Sequence, residues 1–366
     1  MTRVWLSQML AIIRLEVKKT FFAKRGLWIY LLALMPLALF VAHGASVAYR
    51  REARASLADR NQKRITYPDL ASITKGMSRE EVIERLGQPP SSHSWDGQRQ
   101  DESGPPRVVM HESYRYSDGS NELHIRLEDG KVTGTALGQG EGLGEDTIVF
   151  AGVFQFFYLR LAIFFGCLGI FMNLFRGELL DKSLHFYFLA PIRRDVLMVG
   201  KYLAGLLAAT VIFVTSEALQ FLALCWGFDS NLRNSYLYHG HGFAHLAAYL
   251  GITALAAVGY GSLFLAAGLW FRNPILPAAV ILIWEALNPF LPSVLEKISV
   301  IYYLKSLCPV EIPASPGTPA IFAMLISNPE PIAAPVAILG VILVSMAILV
   351  VSSRRVRRME INYTTE

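Results

Sequence analysis

Three ionisable residues stand inside long apolar stretches of the sequence: Arg160, Glu217 and Glu285. A charge inside a bilayer is costly unless it is paired or hydrated, so each of the three is a candidate functional residue. Counted at about 1.5 Å per residue, Arg160 lies ~18 Å from one end of its stretch, and Glu217 lies ~14 Å from the matching end of the next. These depths predict an Arg160–Glu217 ion pair, either structural or beside a transport path. Glu285 is expected beside the path or at an interface between two chains.

Three histidines, His239, His241 and His245, cluster in one polar segment. Imidazole nitrogens bind zinc, which leaves open a metal-dependent intramembrane enzyme that combines these histidines with Glu217 or Glu285. No carboxylate or cysteine stands at helical spacing from them, and neither Gly-x-Ser-x-Gly nor His-Glu-x-x-His occurs in the sequence. We therefore expect solvated loop histidines, no metal site and no catalytic residue.

The elements that carry these residues are apolar stretches long enough to cross a membrane. A helical span needs ~20 mostly apolar residues to cross ~30 Å of hydrocarbon. Six stretches are candidates, of which the fifth is the shortest and runs into Asn288-Pro289: Leu27–Val47, Ile148–Leu174, Tyr202–Trp226, Phe243–Trp270, Ile275–Leu291 and Ile332–Val351. The sequence predicts an α-helical polytopic membrane protein with six transmembrane helices.

Charged residues are unevenly distributed, which excludes a uniform soluble globule. The chain has 366 residues with 34 basic and 29 acidic side chains, and Arg50–Asp146 holds 31 of these charges in 97 positions. We therefore predict a small α+β extracytoplasmic domain at residues 50–146, inserted between the first and second spans. The predicted remainder is an interfacial amphipathic helix, the first span, spans two to six and a basic cytoplasmic tail, at residues 1–25, 26–49, 147–351 and 352–366.

The basic residues predict the orientation in the membrane, because cytoplasmic loops are richer in Lys and Arg than outer loops. With the N-terminus placed in the cytoplasm, the short cytoplasmic segments hold 16 Lys and Arg residues and the short outer loops hold 3. Both termini are therefore predicted to be cytoplasmic, and the insert is predicted to be outside. The net charge of +5 is then explained by topology and contact with anionic lipids, without a nucleic-acid partner.

The predicted cytoplasmic loop at residues 175–201 carries both signs of charge. Leu180, Leu184 and Phe188 recur at i, i+4 and i+8, which predicts an apolar stripe on a helix that ends at Pro191. The loop is longer than a connection between two spans requires. It suits a docking surface for a cytoplasmic protein, and a solvated amphipathic connector is the alternative.

This loop resembles that of type 2 ABC exporter permeases, in which an acidic residue precedes a Leu-rich helix, Pro-Ile-x-Arg and Gly-Lys. The matching residues are Glu178, Leu179-Leu180, Pro191-Ile192-Arg193 and Gly200-Lys201. The resemblance implies a multi-pass protein of the bacterial cytoplasmic membrane, a second permease chain, and two short external helices within residues 294–326. It also implies a separate cytoplasmic ATPase that binds ATP and Mg and docks through six residues of the loop: Glu178, Leu180, Leu184, Phe188, Pro191 and Arg193.

The chain has no phosphate-binding loop of its own. Neither Gly130-Lys131 nor Gly200-Lys201 has a glycine five residues earlier or a Ser or Thr after the lysine. We therefore expect a transport subunit that is not an enzyme and holds no cofactor. A non-transporting membrane scaffold or sensor remains the alternative.

The insert contains local signals for one helix and three strands. Ser78-Arg79-Glu80-Glu81 is a capping box, and Gly87 would close the helix. Strands are predicted at Val108–Tyr116, Glu122–Leu127 and Val132–Leu137, joined by turns at Asp118-Gly119 and Asp129-Gly130, while Gln88–Pro106 is expected to be a loop.

Ile73–Pro89, followed by this three-stranded meander, resembles the small BamE/SmpA lipoprotein domain. The resemblance implies that residues 65–137 bind a periplasmic or envelope protein, and a structural cap is the alternative.

Overall fold

A computed structural model of the chain describes residues 2–22, 26–61, 63–99, 107–138, 143–180, 189, 192–271, 275–313 and 332–358. The chain separates into two compact units. The helical unit comprises Met1–Val41, Gly144–Trp226 and Ser230–Glu366. The sheet unit comprises Ala42–Leu143 and Gly227–Asp229.

The helices differ widely in length. In chain order they are α1 (Thr2–Phe22), α2 (Leu27–Asp59), α3 (Tyr67–Ala71), α4 (Arg79–Leu86), α5 (Leu143–Gly152), α6 (Phe164–Leu180), α7 (Arg194–Trp226), α8 (Ser230–Asn234), α9 (Gly242–Trp270), α10 (Ile275–Leu287), α11 (Ser293–Glu296), α12 (Val300–Ser306) and α13 (Ala334–Arg357). A π-helical segment, Val153–Ile163, joins α5 to α6, and a second π-helical turn, Ser235–His239, follows α8.

Five helical segments are long and apolar enough to cross a membrane: Leu27–Asp59, Leu143–Phe175, Arg194–Trp226, Gly242–Trp270 and Ala334–Arg357. Five of the six predicted spans fall within or largely overlap these segments. The chain therefore has the architecture of a multi-pass helical membrane protein.

The prediction of six transmembrane helices is not confirmed, because the segment predicted as the fifth span forms a shorter helix. α10 has 13 residues, which at 1.5 Å per residue extend about 20 Å and fall short of the ~30 Å hydrocarbon layer. The α-helix ends where Asn288 precedes Pro289, since the proline ring disfavours the α conformation in the residue before it. A short 3₁₀ turn, Asn288–Phe290, continues the chain.

Glycine and aromatic residues fill the core of the helical unit. A Cβ added at Gly268 of α9 would lie 3.1 Å from the Met172 backbone, and one added at Gly205 of α7 would lie 2.9 Å from the Phe171 ring. Phe154 and Tyr249 meet edge to face, with ring centroids 4.7 Å apart. Small residues at these positions let α6, α7 and α9 approach closely, as in membrane helix packing.

The sheet unit contains a four-stranded antiparallel sheet in the order β1-β2-β3-β4. Its strands are β1 (Ser91–Arg99), β2 (Arg107–Ser117), β3 (Glu122–Glu128) and β4 (Lys131–Gly138). Residues of α3 and α4 share a hydrophobic core with the sheet: Leu70, Val82, Leu86, Tyr114, Tyr116, Leu123, Ile125, Leu127 and Val132.

The local signals in this unit are confirmed. The Ser78 Oγ accepts a hydrogen bond from the Glu81 N–H at 3.2 Å, and the Ser78 N–H donates to the Glu81 carboxylate at 2.9 Å. Asp129 and Gly130 have φ of 46° and 76°, the left-handed values that a tight hairpin turn requires.

The prediction of a loop over Gln88–Pro106 is wrong for Ser91–Arg99, which forms β1. This polar stretch has no alternation of apolar residues, and most of its side chains are exposed. Its backbone pairs with β2 from Ser91↔Arg115 to Arg99↔Arg107, so tertiary pairing decides its conformation.

Candidate functional site

A cluster of opposite charges is buried where α1, α6 and α7 meet. Lys201 of α7 is 0% exposed, and its Nζ lies 2.7 Å from Glu16 Oε1 and 2.8 Å from Glu178 Oε2. The same ammonium donates a hydrogen bond to the Leu174 carbonyl at 2.9 Å. Lys19 Nζ lies 3.0 Å from Glu178 Oε1. We call Glu16, Lys19, Glu178 and Lys201 the buried ion cluster.

The two lysines favour the ionised form of Glu178. Burial by itself would raise the pKa of Glu178, but Lys201 and Lys19 outweigh it, and the pKa lies below the ordinary value. Lys201 is buried and Lys19 is half exposed. Together they balance the two carboxylates in charge, so neither buried carboxylate is without a counter-ion. Removing one of them would leave its partner uncompensated.

The sequence around the cluster explains how the helices approach. Ile12 and Glu16 stand one turn apart on the buried face of α1. A Cβ added at Gly200 would lie 3.1 Å from the Ile12 side chain, so the glycine allows α1 to lie directly on α7. Lys201, the next residue, then reaches Glu16. The Gly200-Lys201 pair thus serves close packing and charge pairing.

A second polar network joins the start of α7 to the end of α13. Asp195 Oδ1 accepts hydrogen bonds from Arg357 Nε at 2.7 Å and from Ser353 Oγ at 2.8 Å. Arg194 donates to the Arg357 carbonyl at 2.8 Å. We call Arg194, Asp195, Ser353 and Arg357 the α7–α13 network.

These contacts fix which helix ends lie together. Asp195 contacts Arg357, and Gly268 packs on Met172. At one end of the helical unit, the start of α7 therefore lies beside the ends of α6, α9 and α13. We call this end the cluster end.

The residues predicted to dock an ATPase are described only in part. Glu178 is buried in the ion cluster and faces α1 and α7, rather than standing on an open surface. Arg193 is exposed just before α7, with its guanidinium 4.8 Å from the Trp5 ring centroid. Leu180 is the last residue of α6, and its side chain lies outside the described part of the structure. The other three, Leu184, Phe188 and Pro191, also lie outside it.

Glu16, Lys19 and Lys201 were not singled out as site residues from the sequence. A signal for Glu16 was available, because it is the only acidic residue among the first 25 positions. It also stands four residues after Ile12, on the face of α1 that the structure buries. Its partner Lys201 is 185 positions away in the sequence, beyond the reach of any local pattern.

The predicted Arg160–Glu217 ion pair is wrong. No ion pair within 4 Å joins the two, and both Glu217 carboxylate oxygens are buried without a hydrogen-bond partner in the described ranges. Glu217 is 0% exposed, and its electrostatic neighbours are Tyr158, Tyr249 and Cys308. Two residues at the same depth in the bilayer can still have side chains that point in different directions. The π-helical segment around Arg160 also changes the rotation per residue.

Polar contacts beside Glu217 hold three segments together. The Tyr158 hydroxyl donates to the Phe213 carbonyl at 2.5 Å, joining the π-helical segment to α7. Ser216 and Gln220 of α7 both donate to the Ala33 carbonyl of α2, at 2.5 and 3.2 Å. The neighbouring polar groups are thus used for packing, while the Glu217 carboxyl group has no hydrogen-bond partner among the residues that the structure describes.

Glu285 accepts hydrogen bonds at the start of a short helix. Its carboxylate accepts from Ser299 Oγ at 2.7 Å, from the Val300 N–H at 3.1 Å and from the Ile301 N–H at 2.9 Å. These N–H groups belong to the first turn of α12 and have no acceptor within that helix. Glu285 therefore fixes α12 against α10.

Arg160 lies next to this arrangement without a hydrogen bond or ion pair to any residue in the described ranges. Its Nε is buried and unpartnered, and its guanidinium carbon lies 5.7 Å from the Phe156 ring centroid. Arg160 interacts electrostatically with Tyr260 and Glu285. Burial, together with the charge of Arg160, lowers the pKa of Lys305 on α12 to about 8. Among the described residues, Arg160, Lys305 and Glu285 are the charged side chains that these electrostatic interactions bring together.

His241 and His245 lie one turn apart at the start of α9. His245 Nδ1 lies 2.9 Å from the Tyr236 hydroxyl, and the His241 and His245 rings stack with centroids 5.9 Å apart. Within the described ranges, no group of three His, Cys, Asp or Glu residues could hold a metal ion.

Comparison of the chain with protein-family models, with curated proteins and with solved structures gave no match. The class that the fold defines is a multi-pass helical membrane protein with a small antiparallel sheet unit.

Proposed function

We propose that this chain is the permease subunit of an ABC exporter, a passive membrane-spanning gate driven by a separate cytoplasmic ATPase. One observation carries the proposal: the segment between Leu180 and Arg194 is held at both ends by ion networks. The buried ion cluster precedes it, and the α7–α13 network follows it. The loop motif that resembles type 2 ABC exporters occupies the same segment.

The two networks supply a physical route for coupling. A partner that pulls on this segment would move α6 and α7 together, because Lys201 joins both to α1. The same movement would reach α13 through Asp195 and Arg357. ATP and Mg would be bound by the partner, whose closure would switch the spans between inward and outward access.

We infer six crossings in place of five. The end of α9 lies at the cluster end, and α13 begins at the opposite end, so the chain from Phe271 to Ala333 has to return across the bundle. α10 supplies most of that crossing, and α12 folds back beside it through Glu285. Six crossings place both termini on one side of the membrane. The short segments on that side hold more Lys and Arg than the short loops on the other, which supports the cytoplasmic side of a bacterial inner membrane.

A second permease chain would complete the transporter. α10 exposes Leu276, Val280, Ile283 and Leu287, which form an apolar stripe at helical spacing. In the proposed dimer, Ile283 and Leu287 contact the partner chain or membrane lipids, whereas Leu276 and Val280 line an apolar cavity with α9 and α13.

A protein-binding scaffold is the second candidate function, favoured by the surface of the sheet unit. Trp95, Val108 and Met110 are exposed apolar side chains on β1 and β2, and β1 is an edge strand with one unpaired side. In either function, residues 65–137 would bind an envelope protein outside the membrane.

Copurification tests the proposal. A nucleotide-binding ATPase is expected to copurify with the full-length tagged chain after extraction from its native membrane. Leu184→Glu should abolish that association, because it places a charge on the predicted apolar docking stripe. Val108→Glu is the matched control at an exposed position of the sheet unit and should retain the ATPase. ATP hydrolysis by the purified chain alone, or full ATPase retention by the Leu184→Glu variant, would contradict the proposal.

A further inference from the structure

An apolar cavity lies one helical turn from the neighbours of Arg160. Its volume is about 460 Å³, and its lining comes from α9, α10 and α13, including Leu263, Ile281 and Ala347. Leu263 is three residues from Tyr260, and Ile281 is four residues from Glu285. Tyr260 and Glu285 are electrostatic neighbours of Arg160.

Arg160 is the polar residue near this cavity whose hydrogen-bonding groups are unmet within the described residues. The Glu285 carboxylate already accepts three hydrogen bonds at α12. Arg160 has no hydrogen bond or ion pair in the described part of the chain, and its Nε is buried. A guanidinium offers a planar fork of donors that matches a carboxylate or phosphate. Its unmet hydrogen bonds at membrane depth therefore favour an anionic ligand.

We propose that Arg160 binds the anionic head group of an amphiphile whose apolar tail occupies the cavity between α9, α10 and α13. The shared chemistry is a carboxylate or phosphate joined to a hydrocarbon chain. An anion without a tail would gain no apolar burial at this depth, whereas a tail without a charge would leave Arg160 unpaired. The inference deepens the proposed function and rests on it for one point, that the amphiphile is the transported substrate.

Electron paramagnetic resonance of spin-labelled stearic acid tests the site in the full-length chain, reconstituted in phosphatidylcholine vesicles. The methyl ester of the same probe is the uncharged reference. At a pH where the acid is ionised, the protein is expected to bind the acid about tenfold more tightly than the ester, the scale of one charge-assisted hydrogen bond. Arg160→Gln should remove this preference, and Arg160→Lys should retain part of it. Arg354→Gln, at an exposed arginine of α13, is the matched control and should retain all of it.

Filling the cavity tests the tail. Ala347→Trp should weaken binding of both acid and ester, since Ala347 lines the cavity from an exposed position of α13. Ala38→Trp, at an exposed position of α2, is the control and should leave both unchanged.

Competition on the unmodified protein keeps the test decisive even where a variant fails to fold. Dodecyl phosphate should displace the bound acid, whereas dodecyltrimethylammonium and inorganic phosphate should not. Equal binding of acid and ester, or displacement by inorganic phosphate, would overturn the proposal. A loss of self-association in Arg160→Gln with unchanged stearate binding would also overturn it and assign Arg160 to an interface between copies. No ATPase is needed, so a negative result here is distinguishable from a failure of the ATPase to copurify.

Discussion

The Lys201 ammonium lies 2.7 Å from the Glu16 carboxylate inside the helical unit, although 185 positions separate the two residues in sequence. The contact joins the N-terminal helix to the helix that follows the proposed docking segment. Because Lys201 also pairs with Glu178, one buried cation connects three helices at the cluster end.

Lys201→Met should destabilise the helical unit strongly. The substitution removes the cation shared by two buried carboxylates, and breaking such a buried pair costs about 3–5 kcal/mol. Thermal unfolding of the detergent-solubilised chain should show a clear fall in Tm. Lys18→Met, at an exposed position of α1, is the matched control and should leave Tm nearly unchanged. Equal Tm values for the two variants would contradict the role of the cluster.

The stabilisation contributed by Glu178 should depend on pH. Its pKa is lowered in the folded protein, so the ionised form contributes stability above the unfolded-state pKa of about 4.3, and that stability is lost as pH falls through the depressed value. Glu178→Gln should therefore lower Tm at neutral pH, and the difference from the unmodified protein should shrink in acid. A difference that is constant between neutral pH and pH values below the ordinary glutamate range would refute this account.

Glu217 and Glu285 should respond in opposite ways to replacement by glutamine. Glu217→Gln should keep or raise Tm, because the carboxyl group is buried with no partner for either oxygen in the described ranges. Glu285→Gln replaces one acceptor oxygen by an amide donor at the start of α12 and should cost about 1–3 kcal/mol. Thermal unfolding of the two variants side by side measures the contrast. A fall in Tm for Glu217→Gln as large as that for Glu285→Gln would show that Glu217 has an essential polar partner.

Ser78→Ala should loosen α4 in the sheet unit by about 1 kcal/mol, the usual contribution of a side-chain N-cap. Amide hydrogen exchange of the full-length chain should speed up in the first turn of α4, above all at the Glu81 N–H, which donates to the Ser78 hydroxyl. Ser120→Ala is the control, at an exposed serine in the turn between β2 and β3. Unchanged exchange at Glu81 would mean that the cap contributes nothing to α4.

Local patterns were sufficient for the elements of this fold that depend on neighbouring residues. Runs of apolar residues predicted the five membrane-length helices, since length and composition alone decide whether a helix can cross hydrocarbon. The Ser78 cap and the Asp129-Gly130 turn were also predicted, because each forms within a few residues of chain. Arg160, Glu217 and Glu285 were predicted as site residues from their type and depth, and Glu178 was predicted through the resemblance to type 2 ABC exporter permeases.

Tertiary structure decided the partners of those residues. A helical sequence fixes how deep a side chain lies, but the packing of whole helices fixes which neighbour it faces. Arg160 and Glu217 have similar depths by sequence count and do not pair, whereas Glu16 and Lys201 pair although 185 positions separate them in sequence. β1 likewise forms because its backbone pairs with the edge of β2. The polar sequence of β1 has no strand pattern of its own. Long-range packing sets these contacts, and a local pattern contains no information about it.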